Sequence, residues 1–263
     1  MILRGNVYSQ NLEMNNQITI IVPNSFKKNN KYKVAYLLHG IHGDSDSWLD
    51  NTMLPIYARE KNIVFVMPSV NRSFYCDTKS GQKFFSYVAD ELPRITQSVF
   101  NVTSERDKTA VIGASMGGYG AFKIGMSRPE KFGFVGAFSS AILPIKDYLD
   151  ANRTEEQKQK QREIWGSQMV DDMLAIFGED LRYDPDDDIL ELAKCVEKSK
   201  YNPKIYMACG YDDYLYEDNK MFQEKMKELK LDFTYEEWEG EHDWFFFDEA
   251  LEKSIDYFNG FSG

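Results

Sequence analysis

The chain has 263 residues, of which 43% are hydrophobic and 14% aromatic, enough for one large α/β domain with a substantial core. It carries 31 Lys and Arg against 42 Asp and Glu, so its formal charge is −11 and nucleic acid is an unfavourable partner. No stretch has the length of a membrane span or the apolar core of a signal peptide.

The cysteines indicate the compartment. Cys76, Cys195 and Cys209 are odd in number and lack the spacing of metal ligands, so they are expected to be reduced, buried thiols. Reduced thiols are typical of intracellular proteins, which predicts a cytoplasmic location.

The first third of the chain predicts a hairpin and two buried strands. Leu3 to Tyr8 and the alternating Gln17 to Val22 are expected to pair antiparallel. Lys33 to Leu38 and Ile63 to Met67 are almost wholly apolar, as in strands covered on both faces of a parallel sheet. A helix from about Asn51 to Lys61 is expected between them.

A longer helical pattern follows from Phe84 to Val99, although Pro93 should kink it or divide it. The β-branched residues from Thr109 to Ile112 then predict a strand, and Phe132 to Phe138 predicts another.

The turn between these two strands contains the sequence Gly113-Ala-Ser115-Met-Gly117, followed by a helical segment that ends before Pro129. Strand, sharp turn and helix are the setting of a nucleophile elbow, in which the serine side chain is lifted clear of the sheet. Gly113 and Gly117 are needed because strand and helix approach too closely for side chains. Ser115 is therefore the candidate nucleophile.

Residues 143–200 differ in character from the rest. Thr154 to Glu163 is almost entirely polar, and apolar residues then return through Phe177. This pattern predicts a small helical cap inserted into a single domain. The acidic run that begins at Asp184 is interpreted as a helix start, with Asp184 as the N-cap and Pro185 at the first helical position, rather than as a metal loop.

The sheet resumes with strands at Lys204 to Cys209 and Phe233 to Trp238. Helices are expected from about Tyr216 to Leu229 and from Asp243 to Phe258. Alternating strands and helices predict an α/β fold with a mostly parallel sheet, whose functional loops lie at the carboxyl ends of the strands.

A serine needs a base, and the chain has three histidines, of which only His242 follows both the serine and the last strand. An acid should lie between them in the chain, to orient the imidazole. Asp212 and Asp213 both occupy the turn after a strand, and spacing alone does not choose between them.

Two backbone amides are expected to stabilise the oxyanion: that of Met116, after the nucleophile, and that of Ile41, in the loop after the first buried strand. In the same loop, His39 is expected to hydrogen-bond to the loop and His42 to face solvent or line the site.

Aromatic residues on loops at the strand ends are candidates for contact with substrate: Trp48, Phe74, Tyr75, Tyr214 and Trp244. In contrast, Phe245, Phe246 and Phe247 are expected to be core residues of the last helix.

The segments Leu37 to Gly40, Gly113 to Gly118, Asp213 to Asn219 and His242 to Trp244 resemble the "putative esterase" group of α/β-hydrolases. The similarity covers nearly the whole chain and is strongest to tributyrin esterases and cinnamoyl or feruloyl esterases, with esterase D more distant. It implies a Ser115, Asp213 and His242 triad, and no metal or organic cofactor. The adjacent Asp212 and the charged segment at 143–200 depart from the family pattern.

Together these features predict a serine carboxylesterase that acts on short-chain acyl or hydroxycinnamoyl (feruloyl-type) esters through an acyl-serine intermediate. Its partner would be a small-molecule ester, and the sequence leaves a homo-oligomer open. The alternatives are an S-formylglutathione hydrolase-like thioesterase, or a non-catalytic binding protein on the same fold.

Overall fold

A computed structural model describes residues 1–23, 31–142, 145, 148–149 and 154–260. Within these residues one sheet of eight strands has the order β1-β2-β4-β3-β5-β6-β7-β8. The strands are β1 (Ile2–Ser9), β2 (Met14–Ile21), β3 (Lys33–Leu38), β4 (Ile63–Pro68), β5 (Thr109–Ala114), β6 (Phe134–Phe138), β7 (Lys204–Gly210) and β8 (Phe233–Trp238).

The sheet is antiparallel at one edge and parallel elsewhere. β1 pairs with β2, and β2 with β4, in antiparallel register. The other pairs are parallel: β4 with β3, β3 with β5, β5 with β6, β6 with β7, and β7 with β8. The predicted α/β fold and edge hairpin are confirmed. Consecutive residues of β3 point to opposite faces, so Tyr36 lies in one apolar cluster and Leu37 in the other.

Helices cover both faces of the sheet. They are α1 (Ser47–Asn51), α2 (Leu54–Lys61), α3 (Phe84–Ser86), α4 (Leu92–Val99), α5 (Met116–Ser127), α6 (Glu155–Trp165), α7 (Ser167–Phe177), α8 (Ile189–Glu197), α9 (Tyr216–Lys227) and α10 (Trp244–Gly260). No helix in the described part of the chain is both long and apolar enough to cross a bilayer.

Two predicted helices differ in detail. The helix expected from Asn51 to Lys61 is two pieces, α1 and α2, with Pro55 in the first turn of the second. Pro93 does not break the helix around it, because a π-helical turn at Tyr87–Glu91 joins α3 to α4. In this wider turn the amide of Leu92 bonds to the carbonyl of Tyr87, and Pro93 takes an early position in α4.

The segment predicted as a cap contains α6, α7 and α8, although most of residues 143–153 lie outside the described residues. Thr154 and Gln157 form a reciprocal capping box that starts α6. Asp184 and Pro185 start only a single 3₁₀ turn, Pro185–Asp187, and the following helix α8 is capped instead by Asp188. Asp188 accepts hydrogen bonds from the amides of Leu190 and Glu191, so the acidic run serves two successive helix starts.

Candidate active site

Ser115 lies between the end of β5 and the start of α5, in a backbone conformation that is rare for residues other than glycine. Its φ is +58° and its ψ is −119°. Close packing forces this sharp turn: a Cβ on Gly113 would lie 2.2 Å from the carbonyl oxygen of Gly117, and one on Gly117 would lie 2.2 Å from that of Leu38. The expected role of both glycines is confirmed, and the turn leaves the Ser115 side chain at the end of the sheet.

The Asp213 carboxylate contacts the His242 imidazole. The Nδ1 atom of His242 lies 2.8 Å from Oδ2 and 3.1 Å from Oδ1 of Asp213. Asp213 follows β7 and His242 follows β8, the neighbouring parallel strand, so both side chains lie at the same edge of the sheet as Ser115.

Burial acts to raise the pKa of Asp213, but its hydrogen bonds with His242 and with the Leu215 amide hold that pKa below its ordinary value. Asp213 therefore remains a carboxylate at neutral pH, in contact with a ring nitrogen that donates to it. The neighbouring Asp212 is exposed. Of the two acids that spacing left open, only Asp213 contacts His242.

Tyr214 lies close to the histidine and lines the same pocket as the serine. Its ring centroid lies 4.5 Å from that of His242, and both Tyr214 and Ser115 border the pocket described below. Burial of the hydroxyl and the nearby charge of Asp213 raise the pKa of Tyr214, which keeps the phenol neutral. Since Tyr214 is 70% exposed, it forms part of the open surface of the site.

The loop after β3 is held by His39. This buried ring donates from Nδ1 to the carbonyl of Gly40, at 2.7 Å, and accepts at Nε2 from the amide of Val70, at 3.0 Å. Both ring nitrogens therefore have partners when the imidazole is neutral. Burial lowers the pKa of His39 below its ordinary value, which also favours the neutral ring. The expected structural role of His39 is confirmed, and His42 is exposed.

A pocket of about 380 Å³ opens beside Ser115. Its inner wall comes from loops at the ends of the strands and includes Ile41, Phe74, Met116, Ala141, Tyr214 and Leu215. Its outer wall comes from the segment at 143–200 and consists of Ile145, Tyr148, Gln161, Trp165, Met169 and Met173. Ile41 and Met116, whose amides were predicted to bind the oxyanion, therefore border the same space as Ser115.

Of the aromatic residues expected to touch substrate, Phe74 and Tyr214 line the pocket, but Trp48, Tyr75 and Trp244 are not among its lining residues. Trp48 is 1% exposed and donates from Nε1 to the carbonyl of Leu38, while its ring packs on that of Trp244. Tyr75 is fully buried and donates to the carbonyl of His39. The prediction is corrected for Trp48 and Tyr75, which support the loops beneath the site. Trp244 is half-buried and packs on Trp48 and Phe247, and its contact with substrate stays a prediction.

Two further expectations are also corrected. Phe245 is 89% exposed on α10, whereas Phe246 and Phe247 are buried as predicted. Cys76 and Cys209 are buried, but Cys195 is exposed. The sequence pattern misplaced both residues because each stands on an amphipathic helix beside truly buried neighbours.

Sequence reasoning did not anticipate a buried ionic cluster behind the pocket. The Nζ atom of Lys123, on α5, bonds to Asp187 in the 3₁₀ turn of the 143–200 segment and lies 3.1 Å from the sulfur of Cys76. Burial lowers the pKa of Lys123, but Cys76 and Asp187 outweigh this effect and raise it. Burial raises the pKa of the Cys76 thiol to about 11. The charged pair thus ties α5, the helix that follows the nucleophile, to the segment at 143–200 that also supplies the outer wall.

The individual residues of the outer pocket wall were also missed. Gln161 and Trp165 are four residues apart on α6, and Met169 and Met173 are four apart on α7, so each pair lies on one face of its own helix; this spacing was the available signal.

Comparison with known proteins agrees with this geometry. The family model described as "Putative esterase" matches residues 9–257. An acetyl esterase from Caldicellulosiruptor saccharolyticus is 32% identical over 97% of each chain.

Among solved structures, the fluorophosphonate-binding serine hydrolase FphF of Staphylococcus aureus superposes with a TM-score of 0.83 at 24% identity, over 98% of each chain. An S-formylglutathione hydrolase (FrmB) from the same organism gives a TM-score of 0.80 at 25% identity, also over 98% of each chain. Both of these structures therefore align with nearly the full length of this protein.

Proposed function

Because the chain belongs to the "Putative esterase" family and is a carboxylic ester hydrolase, we propose that it acts through an acyl intermediate on Ser115, with His242 as base and Asp213 as the acid that orients it. The observation that carries this proposal is the pairing of Asp213 with Nδ1 of His242 at the edge of the sheet where the elbow presents Ser115. Because Nδ1–H donates to the carboxylate, Nε2 is the basic nitrogen of the neutral ring.

The proposed reaction has two halves. His242 accepts the Ser115 proton while the serine oxygen attacks the ester carbonyl, and then returns that proton to the leaving alkoxide. A water molecule enters, gives its proton to His242, and attacks the acyl-serine carbonyl. Collapse of the second tetrahedral intermediate releases the carboxylic acid and returns the proton to Ser115.

Negative charge on the carbonyl oxygen requires fixed donors during both halves. We assign this role to the backbone amides of Met116 and Ile41, two residues that line the pocket together with Ser115. The loss of one such donor typically raises the barrier by about 3–4 kcal/mol.

For substrate we propose short-chain acyl esters, and similarity to an acetyl esterase supports acetate as one acyl group. A second candidate is a hydroxycinnamoyl ester, which is favoured by the pocket volume of about 380 Å³, larger than an acetyl group requires. We also propose that residues 143–200 are a cap inserted in a single domain, since they supply the outer pocket wall.

The test of the function is the Ser115→Ala variant, assayed on 4-nitrophenyl acetate, butyrate, octanoate and ferulate, together with an acyl thioester. We expect the variant to unfold at the same urea concentration as the wild type, with kcat lower by about 10⁴- to 10⁶-fold on the preferred ester. Near-wild-type turnover by the variant would reject Ser115 as nucleophile. A wild-type preference for the thioester over every oxygen ester would instead favour the thioesterase alternative.

A further inference from the structure

The imidazole of His242 makes ring contacts in addition to its hydrogen bond. Besides the Asp213 carboxylate at Nδ1, two aromatic rings pack on it, those of Phe247 and Tyr214. The Phe247 centroid lies 5.2 Å from that of the imidazole, with the ring planes nearly perpendicular. The Tyr214 centroid lies 4.5 Å away, with the planes tilted by 39°. Tyr214 is therefore the closer ring and the more nearly parallel one, as in a tilted stack.

Tyr214 lies on the solvent side of this contact. The His242 side chain is 15% exposed and Phe247 belongs to an apolar core cluster, whereas Tyr214 is 70% exposed. Burial of apolar surface therefore contributes little to holding the Tyr214 ring in place. The turn holds it instead, because Oδ1 of Asp213 accepts a hydrogen bond from the amide of Leu215 and so joins the residues on either side of Tyr214. One turn thus supplies both the acid and a ring beside the same imidazole.

The charge of His242 changes during the proposed reaction. The neutral ring becomes an imidazolium when it accepts the proton of Ser115, and again when it accepts a proton from water. The face of an aromatic ring carries negative electrostatic potential and attracts a cation that lies within about 6 Å of its centroid. Tyr214 therefore interacts more strongly with His242 in the charged state than in the neutral state, and this difference lowers the barrier.

We propose that Tyr214 is a positioning residue for the base: its ring restrains the His242 imidazole against Asp213 and stabilises the imidazolium formed at each proton transfer. The inference rests on the proposed function. The role belongs to the ring rather than to the hydroxyl, and it is the same for every acyl group because it acts on His242 and not on the ester. Contact with substrate, expected for Tyr214 as a residue of the pocket lining, would instead depend on the size of the acyl group.

The test separates the ring from the hydroxyl and from the substrate. Tyr214→Phe keeps the aromatic face without the hydroxyl, and Tyr214→Leu keeps an apolar side chain without the face. The matched control is Tyr211→Leu, since Tyr211 is 51% exposed in the same turn but packs on Tyr216 rather than on His242. For each protein, kcat and KM are measured on 4-nitrophenyl acetate and octanoate, together with the midpoint of urea unfolding.

We expect Tyr214→Leu to lower kcat by about three- to fivefold on both esters, with KM changed by less than about twofold, because both proton transfers through His242 are affected equally. Tyr214→Phe should retain kcat within about twofold of wild type. Tyr211→Leu should leave kcat and KM unchanged, and all three variants should unfold at the urea concentration of the wild type.

An unchanged kcat in Tyr214→Leu would overturn the inference, as would an equal loss in Tyr214→Phe or in Tyr211→Leu. A loss that appears in KM and grows from acetate to octanoate would also overturn it, since that is the behaviour of a substrate contact alone.

The two levels of the account fail separately. If Ser115→Ala is inactive while Tyr214→Leu matches wild type, only the role of Tyr214 is wrong. If Ser115→Ala hydrolyses the acetate as fast as wild type does, the proposed function itself is wrong.

Discussion

The serine elbow and the helical wall above it are built in different ways. At the elbow, Gly113 and Gly117 leave no room for a side chain, because a Cβ on either would collide with a backbone carbonyl, that of Gly117 or that of Leu38. In the wall, α6 and α7 contribute side chains such as Trp165, which is 61% exposed, to a pocket of mostly apolar surface. The elbow therefore specifies a single geometry that suits one reaction, whereas the wall can change its side chains without disturbing that geometry.

The sharpest test of the elbow side compares two adjacent acids. Asp213→Asn should lower kcat by about 10³- to 10⁴-fold, because an amide at this position no longer holds His242 in the required tautomer or stabilises its charged form. The matched variant Asp212→Asn removes an exposed carboxylate and should change kcat by less than about threefold. Steady-state rates on one nitrophenyl ester measure both.

An equal loss in the two variants would mean that His242 is not oriented by Asp213 during turnover. Loss in Asp212→Asn alone would transfer the role of the acid to Asp212.

The next largest effect is expected where the two regions join. Lys123→Met leaves the Asp187 carboxylate buried without its cation, and should lower the free energy of unfolding by about 3–5 kcal/mol. The double variant Lys123→Met, Asp187→Leu should recover part of this loss, since it removes both charges. Urea unfolding followed by fluorescence measures these values.

The control for this pair is Lys194→Met, which breaks the exposed ion pair of Lys194 with Glu191 on α8. It should cost less than about 1 kcal/mol. A similarly small cost for Lys123→Met would show that the buried pair does not hold the wall to the helix behind the nucleophile.

The smallest effect is expected in the wall itself. Trp165→Ala should reduce kcat/KM for a hexanoyl or phenylpropanoyl ester by about fivefold, because the larger group loses apolar contact, while kcat/KM for the acetyl ester changes by less than about twofold. Ile164→Ala is the matched control, since Ile164 is also exposed on α6 but does not line the pocket. Equal losses for acetyl and hexanoyl esters in Trp165→Ala would contradict the separation of the two regions.

The same difference explains what the sequence could predict. Ser115 and its two glycines form a local pattern whose geometry follows from steric exclusion, so these five residues identified the elbow once a strand was expected before them and a helix after them. His242 could be selected from chain order. Spacing did not choose between Asp212 and Asp213, whereas in the folded structure the hydrogen bond with the His242 ring identifies Asp213.

The pocket depends instead on packing between distant segments. Trp48 and Tyr75 were plausible contacts from their positions on loops, but each hydrogen-bonds to a backbone carbonyl beneath the site. Gln161 stands in a highly polar stretch that gives no sign of burial, because its environment is created by residues of other elements.

The central claim is that Ser115 is the one nucleophile of an esterase, and covalent labelling tests it most directly. The protein is treated with an alkyl fluorophosphonate, digested, and analysed by mass spectrometry. The account predicts one adduct per chain, on the peptide that contains Ser115, with complete loss of ester hydrolysis and no adduct in Ser115→Ala. An adduct on a different residue, or full hydrolysis by a protein whose Ser115 is entirely modified, would contradict it.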